Sequence, residues 1–199
     1  MNDLRNPKQK RAIDKKEKII DAGFDLICKK GYHYTNTKEI AQIANVSTGI
    51  VYQYFKDKHD IFIAGIEKYA NHIFFPMLNI NNITFNKKDL PNIINKIVND
   101  FILNHKLSAN AHSEIMSLVH SDESVAYFYH KREMDLTNEL TTLFIKNKIK
   151  TNNLKEKVHI IIGLIDNLCH ELVYHKHSEL NYNDMTKIVI QTIDTLLLK

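Results

Sequence analysis

Residues that interrupt regular structure are scarce in this chain. Its 199 residues include only 5 glycines and 3 prolines. Because a fold of strands and tight turns needs many such residues, their scarcity favours long helices. Hydrophobic residues make up 44% of the chain and charged residues 25%. These fractions are ordinary for a globular protein and argue against a disordered chain.

Cysteine is rare, and long apolar runs are missing. Cys28 and Cys169 each lie in an apolar helical pattern, which is typical of buried free thiols in a reducing compartment. No apolar run approaches the roughly 18 residues of a membrane span, and the first residues lack the apolar core of a signal peptide. We therefore expect a cytoplasmic protein without a membrane partner.

Positive charge is concentrated near the N-terminus. Residues 1–60 hold twelve Lys and Arg against eight Asp and Glu, whereas residues 61–199 hold fifteen of each. Seven of the basic residues lie within the first 18. Such a run is usually a solvated tail, but it can also be an arm that contacts phosphates, and the sequence leaves both alternatives open.

The stretch 36–58 contains the signals of two short helices joined by a tight turn. Asn36 and Glu39 have the spacing of a capping box at a helix start. Asn45 stands where the chain must turn, and Asn tolerates the left-handed conformation. Ser47 can cap the next helix. A helix of about two turns, a short turn and a second helix form the helix-turn-helix pattern.

Helical periodicity continues through the rest of the chain, and no segment favours a strand. The sequence therefore predicts an all-α protein of about nine helices. Their expected ranges are about 14–30, with an earlier start of this first helix as an alternative, and then 37–44, 48–55, 58–75, 90–106, 109–120, 122–149, 154–177 and 184–198.

The last two predicted helices carry wide apolar stripes. A single narrow stripe would be enough for the core of a monomer, and Gly163 is small enough to let another backbone approach. The stripes therefore favour a homodimer through about 154–177 and 184–198, with a monomer core as the alternative.

Several short motifs lie at fixed distances from one another between residues 17 and 63. They are Ile20 with Ala22, Lys30-Gly31-Tyr32, Ile40-Ala41, Val46-Ser47, Gly49, Tyr52-Gln53-Tyr54-Phe55 and Lys58. Together they resemble the DNA-binding domain of TetR-family transcriptional regulators. Five positions depart from the family's usual residues, namely Gly23 for Ala, Asn36 for Thr, Asn45 for Gly, Thr48 for Lys and Gln53 for His or Arg.

The resemblance implies a domain organisation and a function. Residues 1–57 would form the N-terminal arm and the three-helix DNA-binding domain, and residues 58–199 a helical ligand-binding and dimerisation domain. The protein would be a repressor of a palindromic double-stranded DNA operator. An unknown small-molecule effector would release it by shifting the helix that begins at Lys58. An activator or chromosome-organising factor of the same fold is the alternative. We expect no enzyme activity, because no phosphate loop, activated nucleophile or metal cluster is evident.

The resemblance also implies the residues that would contact DNA. Tyr52 and Tyr54 are expected on the polar side of the recognition helix, with packing inside the bundle as the alternative, and Lys58 is expected on a phosphate. We therefore predict that Tyr52→Phe and Lys58→Ala weaken operator binding with little change in stability. The full predicted set is Asn36, Thr37, Lys38, Ser47, Thr48, Gly49, Tyr52, Gln53, Tyr54 and Lys58.

Candidates for the effector site come from positions on the inner faces of the later helices, where plain core packing is the alternative. They are Phe74, Phe101, His105, Met116, Phe128, Asp166, Asn167 and His170. His170 and His175 are five residues apart, a spacing that does not place two ligands on one helix face. We therefore predict no metal site and no cofactor.

Overall fold

A computed structural model describes residues 9–73, 84–104 and 109–198. Within these residues the chain forms nine α-helices and no strand, which confirms the all-α prediction. None of these helices is long and apolar enough to cross a membrane. The helices are α1 (Lys10–Lys30), α2 (Thr37–Ile43), α3 (Thr48–Tyr54), α4 (Lys58–Ile73), α5 (Leu90–Asn104), α6 (Ala109–Ser121), α7 (Glu123–Lys146), α8 (Leu154–Tyr174) and α9 (Tyr182–Leu198), and a 3-10 turn (Lys87–Asp89) precedes α5.

Most helix boundaries lie within a few residues of the predicted ones. α1 ends at Lys30, and Gly31, which follows it, has a φ of 96° that favours glycine over other residues. α1 begins at Lys10, the earlier start that the sequence left open, whereas α8 ends at Tyr174 rather than at residue 177. The predicted end of the fourth helix, at residues 75–76, lies outside the described residues.

Packing divides the chain into two compact units. The N-terminal unit comprises residues 1–73 and 107–129, and the C-terminal unit comprises residues 74–106 and 130–199. In this division α4 and α6 belong with the first three helices. The domain boundary predicted between residues 57 and 58 separates the DNA-binding function from ligand binding and dimerisation. That functional boundary stays a prediction.

Both cysteines are free thiols. Cys169 is buried and Cys28 half-buried. Burial raises the pKa of each thiol to about 12, with Asp25 adding to the effect at Cys28 and Asp166 at Cys169. Since the thiolate is the reactive form, neither side chain has the character of a nucleophile.

The N-terminal unit depends on a very close approach of α1 and α4. A Cβ atom at Gly23 would lie 2.4 Å from Ile61 Cγ2, and one at Gly65 would lie 2.8 Å from Phe24 Cδ2. Neither distance is possible for a real side chain, so each helix presents a glycine where the other presents a bulky residue. The departure from Ala at position 23 thus has a packing reason.

The C-terminal unit is built from α5, most of α7, α8 and α9. Its buried core is mainly aliphatic, with the aromatic rings of Phe85 and Phe144, and contains a cavity of about 30 Å³. The residues lining this cavity are Phe85, Leu90, Ile93, Ile94, Ile97, Leu140, Leu143, Phe144, Ile161, Ile162, Ile165 and Ile193.

Replacing Gly23 with alanine should destabilise the protein, because the added methyl group forces α1 and α4 apart. We expect a loss of about 1–3 kcal/mol from overpacking, which exceeds the gain of about 1 kcal/mol in helix propensity. Gly49→Ala is the control, since its Cβ would lie 3.9 Å from the nearest atom, Ser47 Oγ. Urea unfolding followed by circular dichroism measures both. A Gly23→Ala protein as stable as the parent would contradict the close approach.

Candidate DNA-binding site

α2 and α3 form a helix-turn-helix whose ends are capped by their own sequence. Asn36 Oδ1 accepts a hydrogen bond from the Glu39 amide at 3.0 Å, and the Glu39 carboxylate accepts one from the Asn36 amide. Ser47 Oγ accepts from the Ile50 amide at the start of α3. Asn45 has a φ of 54°, which confirms the predicted left-handed turn. These local interactions fix the direction of α3 relative to α2.

One face of α3 packs into the bundle, and the other is exposed. Val51 is fully buried in a core shared with α1, α2 and α4. Gly49, Tyr52 and Gln53 are exposed and Thr48 is half-exposed. α3 therefore presents the predicted polar residues on a surface that can enter a DNA groove.

Tyr54 is not on that surface. Its side chain is only 4% exposed and belongs to the core of the N-terminal unit. Because Tyr54 follows Val51 by three residues, the helical period places both on the inner face. The prediction that Tyr54 lies on the polar side is therefore wrong, and the packing alternative holds.

Two predicted residues from different helices meet at the surface. The hydroxyl groups of Thr37, at the start of α2, and Tyr52, on α3, lie 2.9 Å apart. Tyr52 remains half exposed, and the neighbouring Lys38 is exposed. The pair orients two hydroxyl groups on the side of the unit that carries the open face of α3.

Lys58, the first residue of α4, binds the turn between α1 and α2. Its ammonium group donates to the carbonyl oxygens of Tyr32 at 2.6 Å and Thr35 at 3.0 Å. It also lies 4.5 Å from the centre of the Tyr32 ring, a cation–π distance. Because these contacts join α4 to the loop before α2, the structure favours a contribution of Lys58 to stability, in contrast to the expectation from the sequence.

α6 and the start of α7 also contact this region through carboxylates. Glu114 accepts a hydrogen bond from the Tyr32 amide at 3.2 Å, and Asp122 lies 2.7 Å from His59 Nε2. Burial acts to raise the pKa of Asp122, but hydrogen bonds from the Val125 amide and His59 outweigh it and hold the pKa below its usual value. Sequence inspection missed both carboxylates, since their partners lie more than 60 residues away.

The structure describes the side chains of five of the eight predicted effector residues. Met116 and Phe128 belong to the N-terminal unit. Asp166 pairs with His170 on α8, with Oδ2 3.1 Å from Nδ1. Asn167 is exposed. None of these residues lines the cavity of the C-terminal unit. Phe74 and His105 lie outside the described residues, and the Phe101 side chain is not described.

Comparison with known proteins agrees with this geometry. The family model of bacterial regulatory proteins, tetR family, matches residues 19–64. The fatty acid metabolism regulator protein of Bacillus subtilis is 46% identical over 57 residues, which are 29% of this chain. The same stretch covers 28% of that relative's length, so the likeness concerns the DNA-binding segment.

Solved structures match over nearly the whole chain. One assigned to the TetR family, from Mesorhizobium loti, has a TM-score of 0.69 at 16% identity and covers 96% of this chain and 98% of its own. The fatty acid degradation regulator FadR from Bacillus halodurans has a TM-score of 0.61 at 22% identity, covering 96% and 97%. Identities this low establish the shared fold alone.

The capped helices and the open face of α3 define the N-terminal unit as a helix-turn-helix domain of the DNA-binding class. The family model falls on this unit, and the fold of the whole chain matches the same family. Residues 19–64 therefore form a DNA-binding domain of the tetR family of bacterial regulatory proteins, and the chain as a whole is similar in fold to solved regulators assigned to that family.

Replacing Lys58 with alanine should lower the free energy of unfolding by about 1.5–3 kcal/mol, the usual range for hydrogen bonds to a charged group. The loss follows from the two carbonyl groups left without their donor. Lys56→Ala, at an exposed lysine two residues earlier, should change stability by less than about 0.5 kcal/mol. Urea unfolding compares the two variants. Equal stabilities would show that the contacts of Lys58 do not support the fold.

Proposed function

We propose that this regulator is a cytoplasmic repressor that a small molecule releases from a palindromic operator. The DNA-binding component of this proposal rests on the exposed face of α3, which a rigid helical bundle holds in place. Thr48 can pack its methyl group on a thymine methyl, Gly49 permits close approach, and Gln53 can pair with adenine. Thr37, Lys38 and Tyr52 suit phosphates.

The remaining predicted residues have supporting roles in this proposal. Asn36 and Ser47 cap α2 and α3 and so orient the two helices. Lys58 uses two of its ammonium hydrogens on carbonyl groups, and in this proposal the third would bind a phosphate. Tyr54 supports α3 from inside the bundle.

We propose a homodimer through α8 and α9, because both helices have apolar residues that their own unit does not bury. Ile160 on α8 is 53% exposed and Ile188 on α9 is 60% exposed. Gly163 is exposed and nothing lies within 4 Å of a Cβ added there, so the packing of its own unit gives no reason for glycine. A partner helix that approaches this face closely would supply that reason.

Replacing both Ile160 and Ile188 with aspartate should convert the dimer to a monomer, because charges would be buried at the interface. Ile145→Asp is the control, since Ile145 on α7 is 63% exposed and lies outside α8 and α9. Native mass spectrometry measures the oligomeric state, and circular dichroism checks that helicity is retained. A double variant that stays dimeric would contradict the proposed interface.

The cavity of the C-terminal unit is the proposed effector site. Its lining has no exposed polar atom, so the chemistry suits an apolar molecule. An acyl chain is the specific candidate, and two proteins similar to this chain are named as regulators of fatty acid metabolism or degradation.

Effector binding to this cavity would require movement of its walls. The cavity volume of about 30 Å³ is close to the share of one water molecule, whereas ligand pockets usually have several hundred Å³. A ligand would therefore favour a conformation in which α5, α7, α8 and α9 are farther apart. The α7 helix begins in the N-terminal unit and continues into the C-terminal unit, so it offers one continuous route for the change. Release follows if the expanded form binds operator less well.

Straight-chain fatty acids of increasing length should raise the unfolding temperature, whereas polar peptides of similar size should not. A ligand at one hundred times its dissociation constant stabilises by about 2.7 kcal/mol. Ile97→Phe, at the partly buried rim of the cavity, should abolish the effect by filling the space. Ile145→Phe, outside the cavity, should not. A thermal-shift series measures this, and equal responses of the two variants would exclude the cavity as the effector site.

A further inference from the structure

A cluster of polar side chains joins α7 to α8 within the C-terminal unit. Glu133, on α7, has one carboxylate oxygen 3.6 Å from Nδ1 of His130 and the other 4.0 Å from Nε2 of His159, on α8. His130 and Glu133 are three residues apart, so they lie on the same face of α7. No described Lys or Arg forms an ion pair with Glu133, and the neighbouring Arg132 pairs with Glu139 at 3.1 Å. One carboxylate therefore lies between two imidazole rings.

A buried hydroxyl group orients the His159 ring. Thr137 is 1% exposed and donates its single hydroxyl hydrogen to the Glu133 carbonyl oxygen at 2.8 Å. The Thr137 Oγ1 atom also lies 3.1 Å from His159 Nδ1, so in this contact Nδ1 carries a hydrogen and donates it. The other nitrogen of a neutral imidazole then has a lone pair. The lone pair of His159 Nε2 is therefore on the side of the Glu133 carboxylate.

Two electron-pair donors that face each other in this way fit a shared cation. The 4.0 Å between His159 Nε2 and Glu133 Oε1 is too long for a hydrogen bond. Zinc lies about 2.0–2.2 Å from imidazole nitrogen and carboxylate oxygen atoms, so its tetrahedral ligands are about 3.4 Å apart. Both gaps around Glu133 are close to this separation, and His130, whose side chain is 67% exposed, can turn toward an ion. A hydrogen bond from the second ring nitrogen, as His159 makes, is usual for His ligands of metals.

We propose that His130, Glu133 and His159 bind a divalent transition-metal ion of the zinc class. Two imidazoles and one carboxylate form a ligand set that zinc accepts, with the fourth position open to water. The sequence-based prediction of no metal site considered the spacing of His170 and His175 on one helix, whereas these ligands come from two helices. A bound ion would join α7 to α8. The proposal is independent of DNA binding and of the proposed effector.

A second group of possible ligands lies at the start of α4 and competes with this assignment. Ligand atoms of Asp57, His59 and Asp60 lie within 4.8 Å of one another. Asp57 Oδ1 accepts hydrogen bonds from the amides of His59 and Asp60, and His59 Nε2 lies 2.7 Å from Asp122. The Asp57 carboxylate thus caps the positive end of a helix, which disfavours a cation. We therefore assign the ion to the cluster between α7 and α8.

Isothermal titration calorimetry of the metal-free protein with zinc chloride tests the proposal. We expect the parent protein to bind one ion per chain. The double variant H130Q/H159Q should abolish this binding, because it removes two of the three ligands. Thr137→Val should weaken zinc affinity about 10–100-fold, the usual effect of losing a hydrogen bond that orients a His ligand. Magnesium chloride should not compete, since Mg²⁺ prefers oxygen ligands.

The matched control is H175Q/H177Q, which removes the same number of imidazole rings from exposed positions after α8. It should bind zinc as the parent does. Circular dichroism checks the helicity of each variant, and Glu133→Gln replaces H130Q/H159Q if that protein does not fold.

Three results would overturn the proposal. A parent protein that takes up no zinc has a protonated His159 paired with Glu133 rather than a metal site. An H130Q/H159Q protein that still binds zinc places the ion elsewhere. Loss of binding in His59→Gln but not in H130Q/H159Q places it at the start of α4. Because neither DNA nor fatty acid is present, each of these results leaves the proposed repressor function standing.

Discussion

The close approach of α1 and α4 is the constraint on which the N-terminal unit depends. Because Gly23 has no side chain, it leaves room for Ile61, and Gly65 leaves room for the ring of Phe24 in the same way. Packed interiors do not deform continuously, so α4 cannot slide along α1 without losing these contacts. On the surface beside them, Lys68 joins α4 to Glu17 and Asp21 of α1. The base of the helix-turn-helix is therefore a rigid pair of helices.

Lys58 extends this rigidity to the DNA-binding surface. It ties the first turn of α4 to the carbonyl groups of Tyr32 and Thr35, and α2 begins two residues after Thr35. Glu114 of α6 holds the amide of the same Tyr32. The turn between α1 and α2 is thus the place where α4 and α6 both meet the helix-turn-helix. A change in either helix would reach α2 and α3 through this turn, which gives the proposed release by effector a physical route.

The parts of the fold that local chemistry controls could be predicted from the sequence. Asn36, Asn45 and Ser47 act on neighbours within a few residues, so their caps and the turn follow from spacing alone. The period that marks Val51 as buried should also have assigned Tyr54 to the core, yet its hydroxyl group favoured the surface prediction. Lys58 could not be predicted correctly, because its partners are 23 and 26 residues away. The cavity was missed for the same reason, since its lining comes from helices far apart in the chain.

The most direct test of the central claim is selection of binding sites from random duplex DNA, with native mass spectrometry of the complexes. We predict a near-palindromic sequence with two half-sites about one DNA turn or more apart, bound by two chains together. Binding without sequence preference, or a selected site that holds a single chain, would contradict a dimeric regulator that reads DNA with α3.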